Sequence, residues 1–305
     1  MAKAPKRDAP AAALPDTIRR IGRLEVRARQ VVEGFLSGMH RSPYFGRSLE
    51  FREHRQYTTG DDLRHVDWKV WARQDRYYVK QYEEDTNLRG TLLVDRSASM
   101  AYGRGPLTKY GYASTAACVV AYMLLRQNDA VGCRVFDEAV CAEAPTRSSR
   151  THISTIAEVL RGEPAGAKTD LGAVLADAAG AIPRRGIVVL ISDLMGDLDA
   201  LRRGLRQVRQ RGHDVIVLHI LDDDEIDFPF DGSTRFVGLE TTDEVSCNPR
   251  SLRQGYLDAM QRFLDNARRA CLSQRADYTL IRTSDPLDAA LTALISSRME
   301  TMRSL

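Results

Sequence analysis

No run of apolar residues in this 305-residue chain is long enough to cross a bilayer. The longest uncharged stretch, Tyr110 to Leu125, falls short of the roughly 18–20 residues a spanning helix needs, and it carries Ser114 and Thr115. It reads as a core helix. The N-terminus, MAKAPKRDAPAAALP, has charge but no apolar centre, which argues against a secretory signal. Cysteine is scarce: Cys118, Cys133, Cys141, Cys247 and Cys271 are odd in number and never spaced C-x-x-C. A disulfide framework and a zinc knuckle are therefore not expected, and a reducing cytoplasm is. The six histidines show no H-E-x-x-H or other paired spacing, so zinc chemistry has no support. A G-x-x-x-x-G-K-[ST] phosphate loop is missing, as is a G-x-S-x-G nucleophile elbow. Charge of one sign is lacking too. The first 90 residues hold 18 Lys/Arg against 13 Asp/Glu, and the rest hold 26 against 28. That excess is too small to argue for a nucleic-acid partner, which usually demands a clustered basic face.

What is present falls into three parts. Residues 1–14, rich in Ala, Pro and Lys, have the composition of a disordered tail. Residues 15–89 open with a helical pattern (Ile18, Ile21, Leu24, Val31, Phe35) and continue into a dense Arg/Trp/Tyr segment. There, LEFREHRQY and YYVKQYEE alternate well enough for strands. From 90 to 305 short apolar runs alternate with helical stretches. Strands are expected at Gly90–Asp95, Ala130–Phe136, Gly186–Asp193, Asp214–Leu221 and Ala276–Ile281. Helices are expected at Tyr110–Arg126, His152–Leu160, Leu171–Ile182, Leu198–Arg211 and Leu252–Cys271. Runs such as IVVLISD and DVIVLHI suit a parallel sheet covered on both faces. The fold class is α/β: a doubly wound, mostly parallel sheet, preceded by an N-terminal helix and a small β/loop segment.

In such sheets ligands bind outside the carboxyl ends of the strands, near a topological switch point. TLLVD and GIVVLISD each end an apolar strand in a carboxylate, Asp95 and Asp193. The loop after Asp95 reads D-x-S-x-S, so Asp95, Ser97 and Ser99 can curl toward one point, and Thr169 stands just before a later helix. Two carboxylates and three hydroxyls make an all-oxygen set suited to a hard divalent cation, Mg²⁺ first, with Mn²⁺ or Ca²⁺ as alternatives. Neutral hydroxyls leave the ion under-neutralised and receptive to an incoming acid. The plainer reading of Thr169 or Asp170 is a helix N-cap. The acidic run LDDDEIDFPFD, 221–231, reads as a solvated loop rather than a second cation site.

This order of motifs, D-x-S-x-S, then Thr, then Asp, resembles the metal-ion-dependent adhesion site (MIDAS) of von Willebrand factor A-type domains. Asp95, Ser97, Ser99, Thr169 and Asp193 match its five elements, although this chain has Ser192-Asp193-Leu194 where that family often shows Thr-Asp-Gly. The resemblance implies an Mg²⁺ whose shell is completed by a partner's acidic side chain. The upstream segment EFREHRQYTTGDDLRHVDWKVWAR, followed by YYVKQYEED, resembles the signature of the domain of unknown function 58 family (DUF58), bacterial and archaeal proteins carrying an A-type fold behind it. That resemblance covers about residues 40–280. It implies an adaptor or chaperone-like partner of a MoxR-type AAA+ ATPase. Many members have membrane segments; none is expected here. Arg52, Arg55, Asp61, Asp62, Arg64, Asp67, Trp68 and Arg73 form a charged network read as a structural brace, or as an interaction surface beside the metal.

The expectation is thus a cytoplasmic, metal-dependent protein-binding module without enzymatic activity. The alternative is a Mg²⁺-dependent phosphoryl hydrolase using the same rim. The loop hydroxyls stand where a hydrolase would use further carboxylates, and no general base stands out.

Overall fold

The computed structural model describes residues 88–164, 169–182, 185–240, 243–287 and 289–290, together with the backbone of 48–56 and 78–85. A two-stranded antiparallel ribbon comes first, β1 (Ser48–Gln56) with β2 (Tyr78–Asp85). The main domain follows: β3 (Arg89–Asp95), α1 (Lys109–Arg126), β4 (Ala130–Phe136), β5 (Val140–Arg147), α2 (His152–Val159) and α3 (Leu171–Ala181). Next come β6 (Ile187–Ser192), α4 (Leu198–Gln210), β7 (Asp214–Leu221), α5 (Asp223–Asp227), β8 (Thr234–Val237), β9 (Glu244–Cys247), α6 (Pro249–Ser273) and β10 (Asp277–Arg282).

Six strands form one sheet in the order β10-β7-β6-β3-β4-β5, parallel except for β5. The doubly wound α/β architecture expected from the alternation of apolar runs is the one observed. β5 was not anticipated. Its sequence, VCAEAPTR, has no apolar run, and Pro145 removes a backbone donor, which only an edge strand tolerates. The small β8–β9 hairpin was not anticipated either; four-residue strands are too short for a periodicity signal.

β3 is central and buried on both faces because Leu92, Leu93 and Val94 alternate between two cores. Leu92 and Val94 pack with Ala113, Ala116 and Ile156 of α1 and α2. Leu93 packs with Leu175, Leu201, Leu205 and Cys271 of α3, α4 and α6. From β3 the chain winds one way to β4 and later returns to β6 on the other side. The switch point therefore lies between the ends of β3 and β6, where a crevice must open.

Candidate metal-ion and partner-binding site

β3 and β6 run parallel in register, Val94 opposite Ile191, so their carboxyl ends meet at one rim. Asp95 closes β3 and is fully buried. Its carboxylate accepts three hydrogen bonds: from the Ser97 backbone N–H (2.9 Å), the Ser192 hydroxyl (2.6 Å) and the Thr169 hydroxyl (3.1 Å). A buried charge is tolerated only when partnered in this way. Burial nonetheless dominates: together with the nearby Asp193 charge it pushes the Asp95 carboxyl up to about 6, against the lowering effect of Ser192 and Ser97.

The competing cap reading of Thr169 is resolved by a division of labour. Asp170 caps α3, accepting from the Ala173 N–H at 2.9 Å, and this frees the Thr169 hydroxyl for Asp95. Ser97 and Ser99 lie 3.0 Å apart through their hydroxyls on the one-turn 3₁₀ segment after β3. Ser97 is positioned to cap that turn yet makes no side-chain cap bond, so its oxygen stays at the rim.

Asp193 follows β6 in a tight turn. The Ser192 hydroxyl accepts from the Leu194 N–H, and Asp193 Oδ1 accepts from the Met195 N–H. Leu194 sits at φ +55°, the left-handed region that glycine favours. The Thr-Asp-Gly of A-type domains has glycine at this position; here a fully buried leucine occupies it. All five residues singled out from the sequence thus come to one rim, with Ser99 also hydrogen-bonded to Asp193.

Sequence reasoning missed four contributors. Ser192, one residue before the predicted Asp193, is what touches Asp95. Lys109, at the start of α1, is fully buried and donates to Asp193 Oδ2 (2.7 Å) and Glu225 Oε1 (2.6 Å). Burial would push its ammonium down, but the two carboxylates outweigh that and hold it up. Burial pulls the other way on Asp193, yet the Lys109 charge beside it brings its carboxyl below the usual range. One signal for Lys109 was available: a lysine in the first turn of a helix opposes the helix dipole and needs a local reason.

His219 is the fourth. Its Nε2 lies 2.8 Å from the Asp193 carbonyl, which can only accept, so Nε2 carries the proton and Nδ1 accepts from the Tyr278 hydroxyl at 2.8 Å. Burial lowers its pKa to about 4, leaving a neutral ring that braces the β6 turn.

The acidic run after β7 is the solvated loop expected from composition only in its later part, where Asp227 and Asp231 are exposed; its first part is not. Asp222 and Asp224 are buried, and Asp222 and Glu225 form a capping box on α5. Asp222 takes the Thr283 hydroxyl at 2.7 Å, and Asp224 takes the Tyr102 hydroxyl at 2.9 Å. Composition could not reveal these long-range donors. In the predicted charged network, Arg52 and Arg55 fall on β1, while Asp61, Asp62, Arg64, Asp67, Trp68 and Arg73 lie outside the described residues.

The donor set can be tested against the cation the motif implies. Among the described residues no three His, Cys, Asp or Glu side chains converge as a metal cluster, so an ion here must rely on hydroxyls. Asp95, Ser97, Ser99 and Thr169 supply hard oxygens on one side of the rim, as Mg²⁺ or Mn²⁺ requires. Asp95, held protonated to an unusually high pH by burial, is a group whose ionised form a cation would stabilise.

The chain belongs to the family described as "Protein of unknown function DUF58", whose model matches residues 53–264. It is 29% identical over 281 residues to uncharacterized protein Rv1480 of Mycobacterium tuberculosis, covering 90% of this chain and 87% of that one. Uncharacterized protein Mb1516 of Mycobacterium bovis matches to the same extent. Similar solved structures include conserved hypothetical protein BatB from Bacteroides thetaiotaomicron (TM-score 0.43, 16% identical, 70% of this chain and 99% of that one). The SpRpn10 VWA domain is another (TM-score 0.39, 12% identical, 67% and 93%). Among the described residues, no helix is long and apolar enough to cross a membrane.

Proposed function

We propose that this chain is a protein-binding module whose rim takes a divalent cation, Mg²⁺ by preference, and through it an acidic side chain of a partner. The observation that carries this reading is the gathering of Ser97, Thr169 and Ser192 around the buried Asp95, with Ser99 and Asp193 alongside. Asp95, Ser97, Ser99 and Thr169 would hold the ion; when bound, it supplies the positive charge that the partner's carboxylate seeks. An open groove of about 500 Å³ runs from Thr169 and Asp170 between α3 and α4 toward Arg203 and Gln207, giving that partner a surface to extend along. The partner is a MoxR-type AAA+ ATPase, for which the chain acts as adaptor.

A phosphoryl hydrolase using the same rim is less well supported. Its second carboxylate would need an unpaired charge, whereas that of Asp193 is paired with the Lys109 ammonium at 2.7 Å. Both ring nitrogens of His219 are engaged as well, leaving no base there.

The test is co-purification of the full chain with the MoxR-type ATPase of the same organism, with Mg²⁺ and with chelator. Capture in Mg²⁺, loss in chelator and loss in Asp95→Ala with unchanged circular dichroism are expected. Equal capture by Asp95→Ala in chelator would sink the mechanism.

A further inference from the structure

Lys109 is the one lysine or arginine among the largest fully buried side chains of the described residues. It lies 2.7 Å from Asp193 and 2.6 Å from Glu225, and Glu225 is itself tied to the Asp222 N–H at 2.8 Å. The lysine is thereby clamped between the metal rim and α5. Thr108 caps α1 by accepting from the Gly111 N–H, so the helix start that aims Lys109 inward is itself fixed.

This has a chemical consequence for the rim. A carboxylate engaged by an ammonium at 2.7 Å already has a full counter-charge, whereas Asp95 is held by neutral donors alone, the Ser97 N–H and the Ser192 and Thr169 hydroxyls. We infer that Lys109 is a tethered counter-ion that withholds Asp193 from the cation, leaving Asp95 as the rim carboxylate whose charge has no ammonium partner and acts on the ion. The inference rests on the metal reading above and specifies how that site is regulated. An ion with one anionic ligand and neutral hydroxyls keeps a surplus positive charge. Binding of the ion and binding of an outside carboxylate then favour each other, as linkage requires. Lys109 in this view is a positioning residue: it sets the charge of the site without touching the ion.

Two variants separate this from its alternatives, with Mn²⁺ as the probe, titrated calorimetrically on the full chain with circular dichroism as the fold control. Lys109→Met releases Asp193 to the ion, and Mn²⁺ affinity is expected to rise at least about tenfold through the added nearby charge. Lys109→Met combined with Asp193→Asn leaves the net charge unchanged but strips Glu225 of its ammonium, so circular dichroism establishes that the variant is folded before its affinity is read. Its affinity is expected to stay within about threefold of the unmodified chain, because long-range charge is unchanged. Acetate should tighten Mn²⁺ binding in the unmodified chain and lose that effect in Lys109→Met.

The inference is overturned if the double variant loses Mn²⁺ binding as fully as Asp95→Asn does, since Asp193 would then be a direct ligand. It is equally overturned if folded Lys109→Met binds no tighter. Should Lys109→Met fail to fold, the double variant decides alone. Absence of Mn²⁺ binding by the unmodified chain would instead defeat the metal reading; recovery of binding in Lys109→Met would then leave the role of Lys109 standing.

Discussion

At the scale of single residues the site is governed by how Asp95 is kept. Its pKa is raised from 3.8 to about 6, first by burial and then by Asp193. Between those two pH values the unfolded chain has already released the proton that the folded chain still holds. Stability due to this group is therefore full below pH 3.8 and is lost as pH rises through 6. His219 has the opposite sign: burial lowers its pKa from 6.5 to about 4, so its contribution is lost as pH falls through that window. In a comparison of the unmodified chain with Asp95→Asn the histidine term cancels. Urea unfolding in chelator should therefore show Asp95→Asn gaining about 2–3 kcal/mol relative to the unmodified chain between pH 4 and pH 7. A difference independent of pH would mean that Asp95 titrates normally. The turn after β6 shows a second residue-scale compromise. Leu194 accepts a left-handed backbone, which costs a non-glycine residue about 1–2 kcal/mol, in exchange for a fully buried side chain. Leu194→Gly should relieve the backbone yet lower stability, because losing a buried leucine costs about 2–5 kcal/mol, and a thermal melt reads the sign directly.

At the scale of elements, what could be read in advance followed periodicity. The apolar runs that became β3, β4, β6, β7 and β10, and the helices α1 to α4 and α6, were legible because each carries apolar residues at strand or helix spacing. β5, α5 and the β8–β9 hairpin were not, since they are short, edge-lying or acidic and depend on distant partners such as Thr283 and Tyr102. The same division holds at the rim. Asp95, Ser97, Ser99, Thr169 and Asp193 were legible from spacing within loops, whereas Lys109, Glu225 and His219 reach it only through packing of α1, α5 and β7. Element packing also depends on a glycine that sequence alone would class as a helix weakness. A Cβ on Gly204 in α4 would lie 2.6 Å from the Leu175 Cβ in α3, so the two helices approach closely at that point. Gly204→Ala should therefore destabilise by about 1–3 kcal/mol through overpacking, although alanine is the better helix former. Gly180 in α3 has nothing within 4 Å of such a Cβ, and Gly180→Ala should stabilise by about 0.5–1 kcal/mol. Opposite signs by calorimetry would support the packing argument; two gains would refute it.

For the whole molecule, the sheet joins the two halves of the site into one stability unit. β3 carries Asp95 and β6 carries Ser192, and both helical layers pack on these same two strands. An ion bound to Asp95, Ser97, Ser99 and Thr169 would bridge the loop after β3 to the loop before α3, segments 74 residues apart in the chain. Such a ligand binds only the folded state, so it must raise the unfolding free energy with concentration, by about 2.7 kcal/mol at a hundredfold excess over its dissociation constant. Mg²⁺ or Mn²⁺ should accordingly raise the melting temperature of the full chain progressively. Chelator should reverse the rise, and Asp95→Asn should abolish it while Gly180→Ala retains it. Monovalent salt at matched ionic strength serves as the control, because screening of the exposed ion pairs of α4, Arg202–Asp199 and Arg203–Asp197, acts on all variants alike. Melting temperatures unmoved by any divalent cation up to the millimolar range would remove the metal from the account. The rim would then be a hydrogen-bonded brace in which Lys109 already supplies the positive charge.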